Sequence, residues 1–379
     1  MDARRRLEEA GRIVVKIGSA VFLREGGQVD RPAFASLVEG LDSLRCDGRT
    51  VTVVSSGAVA MGHQWLGDDA DSTREIPRLQ AYAAMGQSRL MEMYETEFSH
   101  YGRKVAQILF SRDDLSSRSR YLNARRTLGQ LEEFGAVPVI NENDTVATEE
   151  LRFGDNDELA AMTSGLVDAD VLILLSDVEG LKQVEEDSEG TRRYGKRVPV
   201  IDVDDPRVDE WAGPSDTGVG TGGMISKVRA ARVAARSGVV TVIAPGKRRN
   251  VLQQIVGGRD VGTVFDPGGD DGIAGRKLWL GSGARARGSI VCDEGACTAI
   301  CRRGASLLPS GILEVEGDFD EGQVVDLVDR DGEAVGRGLS VYSAEDLTAI
   351  AGAQSSEIEA ILGFKVLDAA VHRDNLLVF

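Results

Sequence analysis

The apolar pattern begins with Arg12-Ile-Val-Val-Lys-Ile17, a short β-branched run that predicts a buried strand. Residues 30–46 then repeat apolar positions at helical spacing, and Thr50-Val-Thr-Val-Val54 predicts a second strand. The rhythm continues. Residues 78–98 predict a long helix with Met85, Met91 and Met93 partly in the core. Residues 104–110 predict a third strand, 121–134 a helix, and Ala136-Val-Pro-Val-Ile140 a fourth strand. A helix over 158–166 and a fifth strand over 170–175 follow. Residues 198–203 approach a glycine-rich stretch, a helix covers 224–236, and a sixth strand spans 239–243. Strand and helix in alternation predict an α/β fold built on a mainly parallel sheet.

Beyond this the rhythm changes. Asp266-Pro-Gly-Gly-Asp-Asp-Gly272 has the composition of a linker, which divides the chain into domains at 1–266 and 276–379. Short runs at 288–291, 323–328 and 334–339, with close glycine turns, predict a small, mostly β domain near 276–350. A helical tail is expected after it. The length, 379 residues, exceeds one ordinary core and agrees with two domains.

Composition narrows the function classes. With 42% hydrophobic residues and 5% aromatics, the chain reads as soluble and globular. A net charge of −17 argues against a general nucleic-acid binder and against an anionic membrane surface. Residues 276–379 carry ten Lys/Arg against seventeen Asp/Glu, a poor footprint for RNA. No stretch approaches the length of a membrane span, and Arg4-Arg5-Arg6 precedes Leu-Glu-Glu rather than an apolar run. Four cysteines without even spacing fit a reducing compartment, so the cytoplasm is expected. Cys292, Cys297 and Cys301 lie close together, but the spacing is not C-x-x-C and the chain has three histidines. Small buried cysteines account for them better than zinc does, and no metal ligand is assigned.

In open parallel sheets, ligands sit beyond the carboxyl ends of strands. Lys16, followed by Gly18-Ser19-Ala20, occupies one such end, and the turn Ser55-Ser-Gly-Ala58 another. A lysine inside a buried strand is costly unless its head meets an anion. Gly218-Val-Gly-Thr-Gly-Gly-Met-Ile-Ser-Lys227 places four glycines within six residues, just before a helix. Glycines let backbone N–H groups close on a ligand, and the helix start adds unpaired donors and a positive dipole end. Together they make an anion site, with Lys227 in reach of a phosphate. The stretch is no dinucleotide fingerprint, since no strand directly precedes it, and no Walker loop, since Gly223 and Lys227 are not adjacent.

Two Asn/Asp clusters flank one connection: Asn141-Glu-Asn-Asp144 at the fourth strand's end, and Gly154-Asp-Asn-Asp157 before a helix. Such clusters serve as turns and caps, and Asp157 has the position of an N-cap. Amides and carboxylates together also hold the ammonium and carboxylate of an amino acid. No histidine stands in a strand-end turn, and no Ser-His-Asp set or G-x-S-x-G elbow exists. Phosphoryl transfer is the reaction that runs on positioning and charge neutralisation, and a carboxylate acceptor needs no general base.

The ordered run Lys16-Ile-Gly-Ser19, Ser55-Ser-Gly-Ala58, Asn141-Glu-Asn-Asp144, Gly154-Asp-Asn-Asp157, Ser176-Asp-Val-Glu-Gly180 and Gly220-Thr-Gly-Gly-Met-Ile-Ser-Lys227 resembles the amino acid kinase family. Val291-Cys-Asp-Glu-Gly-Ala296 and Arg303-Gly-Ala-Ser-Leu-Leu-Pro309 resemble a PUA domain. The resemblance implies an αβα sandwich followed by a small, mostly β PUA-like domain. It further implies ATP-dependent phosphorylation of the L-glutamate side-chain carboxylate, the first step of proline biosynthesis, with Mg²⁺ bridging the donor phosphates. Lys16 and Lys227 would then stabilise the migrating phosphoryl group, and Asp157 would organise them. Ser56, Asp144 and Asn156 would contact glutamate, with Asn141 and Asp155 nearby. Lys16, Ser176, Asp177, Thr221, Gly222, Gly223, Met224, Ile225, Ser226 and Lys227 would hold ATP. Family members are commonly homo-oligomers, dimers or tetramers, inhibited by proline, and residues 145–153 are the expected regulatory element. Ser226 stands where the family usually has Thr, and Leu181-Lys-Gln-Val184 replaces a tyrosine-containing run. The alternatives are a kinase of aspartate or N-acetylglutamate, and an RNA-binding PUA protein.

Overall fold

The structure, a computed structural model, describes residues 3–24, 28–67, 75–111, 114–115, 118–146, 156–186, 192–213, 223–268 and 286–379. It divides into two compact units, Met1–Asp270 and Asp271–Phe379.

The first unit is organised by an eight-stranded sheet in the order β3-β4-β2-β1-β5-β9-β10-β8. Its strands are β1 (Arg12–Ile17), β2 (Thr50–Ser55), β3 (Val105–Phe110), β4 (Val137–Glu142), β5 (Val171–Ser176), β8 (Val200–Asp202), β9 (Val240–Pro245) and β10 (Thr263–Asp266). A separate ribbon pairs β6 (Lys182–Glu186) with β7 (Arg192–Arg197). From β3 to β9 every neighbouring pair is parallel, while β10 runs against β9. The helices are α1 (Ala3–Glu9), α2 (Ser19–Phe22), α3 (Arg31–Cys46), α4 (Ala58–Leu66), α5 (Ile76–Ser99), α6 (Arg118–Glu133), α7 (Asn156–Leu166), α8 (Arg207–Ala212), α9 (Met224–Ala235) and α10 (Val251–Val256).

Alternation along the strands sorts these helices into two layers. Ile13, Val15 and Ile17 of β1 share a core with α3, α5 and α10, whereas Val14 shares one with α6, α7 and α9. A parallel sheet covered on both faces explains why β1, β4 and β5 read as nearly unbroken apolar runs. Each fully buried Val or Ile stabilises by about 1.5–3 kcal/mol.

Two boundaries differ from the pattern reading. β4 runs on through Asn141 and Glu142, which pair in register with Leu109 and Phe110 of β3. The Asn141 side chain finds partners in Gln87 and Asn156, so its polarity does not end the strand. α7 begins at Asn156, which puts Asp157 in the first turn rather than at the cap. The ribbon β6–β7 and the short strands β8 and β10 give no apolar run of their own; charged residues dominate the ribbon.

The second unit holds a five-stranded sheet, order β12-β11-β13-β14-β15. Its strands are β11 (Gly288–Cys292), β12 (Ile312–Gly317), β13 (Val324–Val328), β14 (Ala334–Ser340) and β15 (Val371–Val378). Its helices are α11 (Glu294–Arg303), α12 (Ala344–Ile350) and α13 (Ile358–Leu362). The expected helical tail is corrected here. After α13 the chain returns as β15, antiparallel to β14, burying Val371 and Leu376 against the core. The polar stretch His372-Arg-Asp-Asn375 between them hides this strand from a pattern search. Of the three clustered cysteines only Cys292 is buried, and burial pushes its thiol up to about 12; Cys301 is exposed. Among the described residues no helix is long and apolar enough to cross a membrane.

Candidate active site

Lys16 is the fifth residue of β1 and by alternation shares the face of Val14, toward α7 and α9. There its Nζ lies 2.6 Å from Asp157 Oδ1. Lys227, in the first turn of α9, donates from Nζ to Asp157 Oδ2 at 3.0 Å. Ser226 Oγ lies 3.3 Å from the same Oδ2 and donates to the Gly223 carbonyl at 2.8 Å. All three charged groups are nearly sealed: Lys16 is 5% exposed, Lys227 4% and Asp157 0%. Two ammoniums against one carboxylate give the triad a surplus of one positive charge. The first turns of α7 and α9 both meet at Asp157, and their dipole ends add positive potential. Gly223, the N-cap of α9, is extended and makes no side-chain cap hydrogen bond, and its carbonyl accepts from the Ser226 N–H at 3.1 Å.

Asn156, one residue earlier, faces the other way. Its Nδ2 gives its two hydrogens to the Ser55 carbonyl at 2.7 Å and Asn141 Oδ1 at 2.8 Å, and Ser56 Oγ lies 3.0 Å from the same nitrogen. Ser55, the last residue of β2, and Asn141, the last but one of β4, lie on the face covered by α5, because Val53 and Val139, two residues earlier, belong to that core. The consecutive pair Asn156–Asp157 thus joins an amide cluster on one face to a charge triad on the other. The junction lies across the carboxyl ends of adjacent parallel strands, where Ile17 is in register with Ser55 and Leu175.

Of the remaining candidates, Asp144 lies two residues past β4 and is half-buried. Ser176 ends β5 and donates from Oγ to Asp177 Oδ1 at 2.9 Å. Met224 and Ile225 open α9. Asp155, Thr221 and Gly222 lie outside the described residues, as do Gly218, Gly220 and most of the 145–153 connection.

Two residues escaped the sequence reading. Gln87 Oε1 accepts from Asn141 Nδ2 at 2.8 Å, and Tyr94 Oη bonds Ser55 Oγ at 2.9 Å. Burial pushes the Tyr94 hydroxyl pKa up, against a smaller pull from Ser55. Both stand on the buried stripe of α5, two turns apart. A polar residue on an apolar stripe is the signal that would have found Gln87.

Comparison with known proteins gives a consistent neighbourhood. Residues 11–244 match the amino acid kinase family, and residues 288–362 match the PUA domain. A glutamate 5-kinase of Geobacter sulfurreducens is 45% identical over 98% of this chain and 98% of its own. One from Myxococcus xanthus is 47% identical over 98% of this chain and 97% of its own. A solved carbamate kinase from Giardia overlaps 68% of this chain and 99% of its own at 15% identity and TM-score 0.47, a likeness too distant to bear weight.

Proposed function

The chain belongs to the amino acid kinase family, and we propose that it moves the γ-phosphoryl group of ATP onto the side-chain carboxylate of L-glutamate. A γ-carboxylate oxygen forms the new bond to phosphorus, the bond to the β,γ-bridging oxygen breaks, and ADP leaves. The product is γ-glutamyl 5-phosphate, and the step opens proline biosynthesis. One observation supports this reading above the others: Asp157 ties Lys16 to Lys227 while its neighbour Asn156 ties Ser56 to Asn141. A phosphate pole and an amino-acid pole are then one residue apart on the same helix.

In this reading the lysines neutralise charge on the migrating group, and Asp157 keeps their heads convergent. The acceptor is already ionised at neutral pH, so no base is needed. Ser56, Asn156, Asn141, Asp144 and Asp155 hold glutamate. Ser176, Asp177 and the stretch from Thr221 to Lys227 hold ATP. Among the described residues no three His, Cys, Asp or Glu side chains gather as a metal cage. Mg²⁺, where bound with ATP, would offset charge on the donor phosphates. A cytoplasmic homo-oligomer, dimer or tetramer, with proline as feedback inhibitor, completes the proposal.

ATP-dependent hydroxamate formation tests it over glutamate, aspartate and N-acetylglutamate. Glutamate is expected to be preferred, with turnover reduced by added proline. Preference for either other acid would replace the substrate assignment. No turnover with any of them, together with a salt-sensitive shift of tRNA, would favour an RNA-binding protein.

A further inference from the structure

We propose that Gln87 is the positioning residue for the amino-acid pole, an inference that rests on the kinase reading above. Gln87 is 8% exposed within the apolar stripe of α5. Its contacts fall in a chain whose orientations are fixed by the backbone. The Glu142 N–H can only donate, and it reaches Asn141 Oδ1 at 2.9 Å. Asn141 must therefore turn its Nδ2 to Gln87 Oε1. The Ser55 carbonyl can only accept, and it takes Asn156 Nδ2. Among the described residues, Asn156 Oδ1 is thereby left outside the network, an acceptor suited to an ammonium. Ser56 Oγ lies 3.0 Å from Asn156 Nδ2, an amide nitrogen that cannot accept, so its hydroxyl hydrogen is turned away and can donate to a carboxylate. Those are the two polar ends of an amino acid.

Gln87 in turn is set by a helix crossing. Gly62 of α4 and Gly86 of α5 meet backbone to backbone. A Cβ on Gly62 would lie 1.9 Å from the Tyr82 carbonyl oxygen, and one on Gly86 would lie 1.8 Å from that of Ala58. α4 starts directly after the Ser56-Gly57 turn, where Gly57 holds φ at 103°. The path closes on itself: Ser56, α4, the glycine crossing, α5, Gln87, Asn141, Asn156 and Ser56 again. Two turns along the same stripe, Tyr94 holds Ser55. Gln87 Nε2 is buried with no partner among the described residues. Packing alone would be better served by an apolar side chain at this place, since the orphan donor is a cost. The acceptor Oε1 supplies the reason for an amide there.

Steady-state kinetics of Gln87→Met and Gln87→Glu in the full chain test the role. Met keeps the length and removes the acceptor; Glu keeps an acceptor oxygen. The amino acid used is whichever one the wild-type enzyme phosphorylates, so a wrong glutamate assignment does not decide this result. Melting shifts induced by the amino acid read its binding without turnover. With Met, KM for the amino acid should rise about ten-fold, the size of one lost hydrogen bond. kcat and KM for ATP should stay within about two-fold, and Glu should recover most of the loss. The proposal is overturned if Met leaves amino-acid KM within about two-fold of wild type. Equal damage to kcat and ATP binding, or a Glu variant no better than Met, would mean a purely structural residue. If the Met variant does not fold, Gln87→Ala is read by the same criteria.

Discussion

The central carboxylate of the site has two lysines to satisfy. Asp157 sits with Lys16 at 2.6 Å and Lys227 at 3.0 Å, in a place where none of the three meets much water. Breaking a buried pair is costly because it strands the remaining charge. The triad is therefore rigid before any ligand arrives, which is the form of preorganisation that speeds charge-transfer steps. Lys227→Ala should accordingly lower kcat by roughly 100- to 1000-fold, as removal of a single preorganised donor does. KM for glutamate should change little, because Ser56, Asn141 and Asn156 lie on the other pole. Initial rates over a glutamate series check both numbers, and a variant within a few-fold of wild type would remove Lys227 from the transfer step. Ser226 illustrates a second residue-scale point. Its hydroxyl donates to the Gly223 carbonyl at 2.8 Å and lies 3.3 Å from Asp157 Oδ2, so one hydrogen is shared between the helix turn and the carboxylate.

At the scale of elements, α4 and α5 meet backbone to backbone at a pair of glycines. No side chain fits at Gly62 or Gly86, whose built Cβ atoms would overlap backbone carbonyl oxygens of the facing helix. Gly129, four residues before the end of α6, has no neighbour among the described residues within 4 Å of its Cβ position beyond the helix's own backbone. The same substitution should thus act in opposite directions. Gly62→Ala should destabilise by about 1–3 kcal/mol through overpacking. Gly129→Ala should stabilise by roughly 0.5–1 kcal/mol through helix propensity. Denaturant midpoints of the two variants decide it, and equal shifts would show that the crossing tolerates a methyl group. Gly62→Ala should also weaken amino-acid binding if the crossing sets Gln87.

For the whole molecule, each unit has its own core. The second unit closes around Ile290, Val325, Leu327, Leu347, Ile350 and Val371, among others. The site's described residues all fall between Lys16 and Lys227, in the first unit. A chain cut after Asp270 should therefore fold and keep hydroxamate activity, within about ten-fold of the full protein, because the first unit carries its own core. A folded truncation without activity would show that the second unit contributes to catalysis. The excess of acidic residues in that unit makes sequence-independent RNA binding electrostatically unfavourable.

Much of this was legible in the chain. Apolar runs such as Ile13 to Ile17 announce buried parallel strands, because only a sheet covered on both faces tolerates them. The small and polar residues after those runs mark the carboxyl edge, and Lys16, Asn156, Asp157 and Lys227 were all named from sequence. Local pattern could not show that β4 continues through Asn141, that β15 closes the second sheet, or that Gln87 faces inward. Each depends on a partner distant in sequence that satisfies a polar group. Strand parity and helix crossing are properties of the assembled fold, and they alone decide which buried amide meets which.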